Sequence, residues 1–484
     1  MRTIALAAAV ALLWEPSARA QAATSIVPDA AGSRFGTGTT TTQSGTVTTI
    51  DGGTLAGSAL FHSFASFSVA TGDTARWSTS LTDPARVTLV VNRVTGGSPS
   101  TINGRIDSTA LANAGFYFIN PAGVVFGSGA QVNVPGATWF ASASSVHFAD
   151  GFSFSAVTPN GSTFTVAPVD RFGFLGNEAA ISVTGARALT AVPASLNLVG
   201  RDVTITGSQI GVSALTLAAA GTASSVPVVG VETASGLNGN IRIDQSSIDV
   251  CCNGGGMVAA ADTLTAAGTS ILNRSGDISV TARVVTLTQS STIATTSSGT
   301  GMAGDINLVA SYVTLTDGAT ISSSAAAGAA GDISLTMPDE VGIVLLDSHG
   351  AASAITTFSN SSAGGMISIV NPLAVISNGG AIRAQGQSGG ANVLIASEYF
   401  IASADRVNQI AVDGAFHLDS NIYDVSNGTA VPSVAFVDAS KVLSGQCASA
   451  RNSGETSRLA VRATGPLAGR LADPGADSAA SGCR

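Results

Sequence analysis

Between residues 239 and 369 a glycine-led turn is followed, again and again, by a short alternation of apolar and polar positions. The clearest copies are Gly276-Asp277-Ile278-Ser279-Val280, Gly304-Asp305-Ile306-Asn307-Leu308 and Gly331-Asp332-Ile333-Ser334-Leu335. Variants flank them at Gly239-Asn240-Ile241-Arg242-Ile243 and Gly365-Met366-Ile367-Ser368-Ile369. The three central copies begin 28 and 27 residues apart, a period in the range of solenoids. Alternation at period two predicts strand rather than helix. Within one unit the apolar positions fall into three groups: Ile278 with Val280, Val285 with Leu287, and Ile293. The next unit repeats them at Ile306 and Leu308, Val313 and Leu315, then Ile321. Three short strands per unit predict an all-β fold, a parallel β-helix of triangular cross-section with coils about 4.8 Å apart. Parallel crossovers make it right-handed. Glycine is expected to supply positive φ at the corner, and Asp or Asn to bond the turn backbone. In register, Asp277, Asp305 and Asp332 form a ladder. The dense glycine–aspartate repeat of calcium solenoids is absent, so the ladder reads as turn chemistry, with no metal and no cofactor.

Composition narrows the function. Only 11% of the 484 residues are charged, 45% are hydrophobic, and Lys441 is the sole lysine. A net charge of −9 lacks the basic face a nucleic-acid partner needs. Arg2, the apolar run Ile4 to Trp14 and Ala18-Arg19-Ala20 predict a signal peptide over residues 1–20, cleaved between Ala20 and Gln21. The run is too short to span a membrane. Four cysteines suit an oxidising compartment. A Cys447–Cys483 bond would close a loop over 35 intervening residues and contribute roughly 3–4 kcal/mol. The adjacent Cys251 and Cys252 are hard to bridge to each other, and the sequence leaves connectivity open.

Fourteen of 18 phenylalanines and all three tryptophans precede residue 175. This bulkier region is expected to cap the solenoid, whose open end would otherwise recruit other chains. Within it lie the segments Asn92-Arg93-Val94-Thr95-Gly96-Gly97, Ile102-Asn103-Gly104-Arg105-Ile106 and Phe116-Tyr117-Phe118-Ile119-Asn120-Pro121-Ala122-Gly123-Val124-Val125-Phe126-Gly127. Upstream comes Phe64-Ala65-Ser66-Phe67-Ser68-Val69. In this order, behind a signal peptide, they resemble the secretion domain of the filamentous haemagglutinin family, the exported proteins of two-partner secretion. The match is close over about residues 25–150.

The resemblance implies a route of export. The chain would cross the periplasm unfolded and be recognised by periplasmic modules of an outer-membrane β-barrel transporter of the TpsB type. It would then fold outside, coil by coil, as each coil buries apolar area on the last. The matching motif residues are Asn92, Asn120, Pro121, Ala122 and Gly123. Asn-Pro-Ala-Gly is also an ordinary β-turn, with Pro at its second position and Gly at its fourth, and both roles can hold together. One departure stands out. Where long family members carry Asn-Pro-Asn-Leu, this chain has Asp83-Pro84-Ala85-Arg86 and keeps only the proline. A disulfide-closed loop at Cys447 and Cys483 would hold the protein at the cell surface, as in some family adhesins.

Three other functions fit the sequence less well. A β-helical polysaccharide lyase or hydrolase needs convergent carboxylates, whereas Asp244 with Asp249 and Asp339 with Glu340 read as turn or edge residues. His62, His147, His349 and His417 are scattered and read as solvated or cap residues. An outer-membrane barrel needs aromatic girdles that the chain lacks beyond residue 175. A toxin needs an effector, and the Ala/Gly/Arg-rich end shows no nucleophile or metal cluster. The expected organisation is a secretion domain and cap over 24–165, β-helix coils over 166–430 and a partly disordered tail over 431–484. The expected role is a secreted or surface-exposed adhesin binding host or matrix glycans, without catalysis, in a Gram-negative bacterium.

Overall fold

The computed structural model describes residues 23–30, 37–78, 83–187, 189–191, 195–221, 225–227, 238–251, 255–274, 276–403 and 407–423. The leader with Ala20 and Gln21, Cys252, and the tail with Cys447 and Cys483 lie outside them.

Alternation does what the sequence requires of it: it closes a parallel β-helix. In one coil Ile306–Val309, Tyr312–Thr316 and Thr320–Ala325 form three faces, and Ile333–Thr336, Gly342–Asp347 and Ala354–Ser359 stack on them in parallel. The division into three strands is not uniform. Met257–Ala267, Ile278–Thr288 and Val393–Ala402 run unbroken through the first corner, so the first two faces merge into one 23-stranded sheet. The third face forms its own sheet of 14 strands.

Register turns the repeat into columns. On the first face Ile278, Ile306, Ile333 and Ile367 follow one another. The third face stacks Ile248, Ile271, Ile293, Ile321, Ile355, Ile382 and Ile410. All are buried in one continuous core, and each contributes about 1.5–3 kcal/mol relative to exposure.

The corner glycines act differently from the expectation. Gly304, Gly331 and Gly365 do not have positive φ; a Cβ on each would lie 2.0–2.1 Å from the carbonyl oxygen of the glycine one coil earlier. They are glycine because backbones stack there at closest approach. Left-handed residues sit instead at the corner before the third face, at Gly207, Gln245, Gly268, Gln289 and Asp317. The aspartates do supply turn chemistry. The Asp277 carboxylate accepts the backbone N–H of Asp305 (2.8 Å), Asp305 that of Asp332 (2.8 Å), and Asp332 that of Met366 (2.7 Å). A second ladder points inward. Thr295 donates to the carbonyl of Gly304, Thr357 donates to that of Gly365, and Ser323 accepts the N–H of Gly331. These buried hydroxyls satisfy the crowded turn backbone, which would otherwise be left without partners.

At the N-terminal end pairing turns antiparallel. The hairpin Thr39–Ser44 and Val47–Gly52 lies over Thr74–Trp77, while Ser25–Pro28 and Thr54–Ala56 run antiparallel to Ala59–Ser68. Strand order changes direction here, which blunts the open edge. A separate antiparallel sheet of Ser145–Phe148, Ser153–Ser155, Val169–Gly173 and Ser225–Pro227 stands outside the coils. Its Val146, Phe148, Phe154 and Phe172 form a second core with Phe61, Val91, Ile119, Trp139 and Val199 on the outer side of the first face. The aromatic region is therefore coils plus a plated outer sheet.

Candidate functional site

The motif residues divide by depth. Asn92 lies on Leu89–Val94 with its side chain inside the coil, in line with His62 and Phe118. The Trp77 indole N–H donates to its Oδ1 (2.9 Å), and its Nδ2 donates to the Tyr117 carbonyl (2.9 Å). It ties the third face to the first across the core and presents nothing to solvent. Asn120 ends Gly115–Ile119 at the first corner and is also buried. Its Nδ2 donates to the Ser98 carbonyl and the Ser100 hydroxyl (2.9 Å each), and its Oδ1 accepts the Ala122 N–H (3.0 Å). The Gly123 N–H donates to the Asn120 carbonyl (2.9 Å), closing the turn that the tetrapeptide predicts. Gly123 has φ +104°, and a Cβ there would meet the Ala180 carbonyl oxygen at 2.9 Å, so both conformation and space demand glycine.

Pro121 and Ala122 remain half-buried and line a cleft of about 450 Å³ with Val94, Thr95, Val157 and Pro159. Asn92 thus braces the core, while Asn120 builds the corner and lines the cleft together with Pro121 and Ala122. Asp83-Pro84-Ala85-Arg86, the departing segment, forms a short 3-10 turn (Pro84–Arg86) capped by the Asp83 carboxylate on the Ala85 N–H (3.2 Å).

Arg93, next to Val94, links the coil to the outer sheet. Its side chain is buried, with Nε donating to Ser63 Oγ (2.7 Å), and a terminal nitrogen donating to the Ser155 carbonyl (2.7 Å) and Ser162 Oγ (2.6 Å). The guanidinium stands 4.2 Å over the Phe154 ring, a cation–π contact strengthened by desolvation. Ser63 in turn donates to Asp29, which also accepts from Thr95 (2.9 Å). Burial pulls Arg93 down to about 10, opposed by Asp29, so it remains charged near neutrality. One cation thereby pins the outer sheet, the first strand and the coil together. The signal available in the sequence was a lone arginine inside an apolar run.

The remaining candidates stay apart. His62, expected at a cap or in solvent, lies inside the first coil with Nδ1 3.1 Å from Thr39 Oγ1. Burial holds it down at about 4, against the pull of Asp51. His147 sits beside Ser145 (3.0 Å), lowered by burial and by Arg171. His349 contacts Asp347 (3.0 Å), and His417 is exposed. Asp244 pairs with Arg242, and Asp249 with Arg274 (2.8 Å), so these acids hold surface register. Among the described residues no group of three or more His, Cys, Asp or Glu side chains converges on a metal position. No helix among them is long and apolar enough to cross a membrane.

The family model described as the TPS secretion domain matches residues 26–280, which includes the cap, the Asn120 corner and the outer sheet. The chain belongs to the TPS secretion domain family. The domain marks a two-partner secreted exoprotein, secreted or surface-localised in a Gram-negative bacterium, whose partner is an outer-membrane transporter of the TpsB type. The fold is similar to the crystal structure of the HMW1 secretion domain from Haemophilus influenzae, at a TM-score of 0.56 and 18% identity over 82% of this chain and 100% of that one. No curated protein matches the chain.

Proposed function

We propose that the TPS domain is read by the transporter at the Asn120–Gly123 corner, and that the coils act outside the cell as a non-catalytic adhesin for host or matrix glycans. The observation that supports the first part is the cleft at the motif. Asn92 and Asn120 spend their polar side-chain atoms inside the fold, and the cleft that Asn120, Pro121 and Ala122 line is walled by Val94 and Val157. An apolar cleft with a few backbone groups suits an inserted extended segment of a partner. Supporting the second part, outward rows such as Ser279, Asn307, Ser334 and Ser368 repeat a hydroxyl or amide on successive coils. Such a row offers many equal weak contacts, which add by avidity.

Two substitutions separate the parts. Ala122→Arg fills the cleft from its rim, and is expected to leave the purified domain folded while the chain accumulates in the periplasm. Normal release of Ala122→Arg would remove the cleft from the recognition step. Deletion of residues 90–136 should strand the chain in the periplasm whichever side chains are read. Binding of the purified exoprotein to matrix-coated or glycan-printed surfaces tests the adhesin reading, and no saturable binding on any of them would refute it.

A further inference from the structure

The cleft at the Asn120 corner has two rims that come from different parts of the chain. Val94, Thr95 and Gly97 belong to the coil, whereas Ala156, Val157 and Pro159 belong to the loop after strand Ser153–Ser155 of the outer sheet. That loop is closed on itself. Ser162 Oγ accepts the Ser155 N–H (3.0 Å), and Ser155 Oγ accepts the Thr158 N–H (3.0 Å). Arg93 holds both ends of it, because one terminal nitrogen donates to the Ser155 carbonyl and to Ser162 Oγ. Val157 is 45% exposed beyond this clamp, so apolar burial holds the rim only weakly.

Both rims lead back to one carboxylate. Asp29 directly follows the first strand, Ser25–Pro28. Its Oδ1 accepts from Thr95 Oγ1 (2.9 Å) on the coil rim. Its Oδ2 accepts from Ser63 Oγ, which in turn accepts from Arg93 Nε (2.7 Å). Arg93 is buried, and the charge of Asp29 supports its cationic form against that burial. Taking the counter-charge from a buried cation is strongly destabilising. Asp29 reaches this place only while its strand is docked, and the dock is slight. Ile26 is the one residue of Ser25–Pro28 in the core. Polar contacts supply the rest: Thr24 Oγ1 accepts the Ala70 N–H (2.8 Å), Ser25 meets Ser66 (3.0 Å), and the Asp29 N–H donates to the Ser63 carbonyl (3.1 Å).

We propose that Asp29 is the latch of the cleft: docking of the first strand closes it, and the transporter reads the Asn120–Gly123 corner only afterwards. This order of events rests on the recognition role proposed above. Without the carboxylate, Thr95 Oγ1 keeps only the Phe64 carbonyl (3.3 Å). The guanidinium then regains solvation by moving outward, which releases Ser155 and Ser162. Asp29 lies neither in the cleft nor in the motif, so it is a positioning residue that acts through Thr95 and Arg93.

Hydrogen exchange of the full purified chain reads the latch. In Asp29→Asn, which keeps the shape and removes the charge, the amides of Ser155, Thr158 and Ser162 should exchange at least roughly tenfold faster. Those of coils 306–402 should keep their rates. Ile26→Asn, which frees the strand with its carboxylate intact, should loosen the same three amides, and Ser25→Ala in that strand should not. Unchanged exchange in Asp29→Asn or in Ile26→Asn overturns the latch. So does equal loosening in Ser25→Ala, because the cap is then weakened in general. In the cell, Asp29→Asn should be held in the periplasm as Ala122→Arg is. Normal release of Asp29→Asn with Ala122→Arg retained removes the latch from recognition and overturns the inference. Normal release of Ala122→Arg as well would sink the recognition role itself, and the order of events with it.

Discussion

Replacing Asn120 with alanine isolates what the secretion motif does for the fold. The substitution removes two donors, to the Ser98 carbonyl and Ser100 hydroxyl, and one acceptor for the Ala122 N–H. Ser98 is exposed and its carbonyl regains water, while Ser100 is buried. Each buried group left without a partner costs about 1–3 kcal/mol, so Asn120→Ala should lose about 2–4 kcal/mol. Trp77 and Trp139 are the tryptophans of the described residues, and both pack in this region. Urea unfolding followed by tryptophan fluorescence therefore reports the secretion region and not the distant coils, whose melting need not be concerted with it. Asn120→Asp keeps the acceptor for Ala122 but loses both donors and buries a charge, so it should be no better. An unchanged transition in Asn120→Ala, together with failed export, would show that the side chain is read by the transporter rather than spent on the turn.

Three further outcomes follow from the same geometry. His62 is held at about 4 against 6.5, so below pH 6.5 the unfolded chain binds a proton that the folded chain refuses. Its contribution is therefore intact above pH 6.5 and lost as pH falls to about 4, at about 1.4 kcal/mol per pH unit and about 3 kcal/mol in all; urea midpoints at pH 7.5 and 4.5 should converge in His62→Leu. Asp305→Ala strips the acceptor from the Asp332 N–H and should cost about 1 kcal/mol, Asp305→Asn much less, with calcium shifting neither midpoint. Ile321→Ala, between Ile293 and Ile355 in its column, should cost about 2–5 kcal/mol, read by hydrogen exchange in those three coils.

The coils were legible because their cause is local. Ile278, Ile306 and Ile333 recur at a fixed interval with polar neighbours, and stacking like on like is what buries them. The ladder of Asp277, Asp305 and Asp332 was legible for the same reason. The glycine corners were misread in cause: a 2.0 Å approach between stacked turns depends on the next coil and leaves no trace in one coil's own sequence. Thr295, Ser323 and Thr357 follow the inward Ile293, Ile321 and Ile355 by two residues, so alternation places them inward, but their bonds to the turn backbone depend on the closed coil. The outer sheet was hidden because the alternation that reveals a strand disappears where both its sides are covered, as at Tyr117 and Trp139. Arg93 was hidden because its anion, Asp29, arrives from the far end of the cap. The Asn-Pro-Ala-Gly turn could be read, but the inward aim of Asn120 depends on Ser98 and Ser100 from the preceding coil.

The parallel register of the coils is tested most directly by a spin-label distance between positions 279 and 417, with the native cysteines replaced by serine. Ser279, Asn307, Ser334, Ser368, Leu394 and His417 occupy one outward row on six successive coils. Five steps at about 4.8 Å place the two labelled backbones about 24 Å apart, and a narrow distribution near that value is expected. A broad distribution, or one centred far beyond it, would contradict the stacked helix.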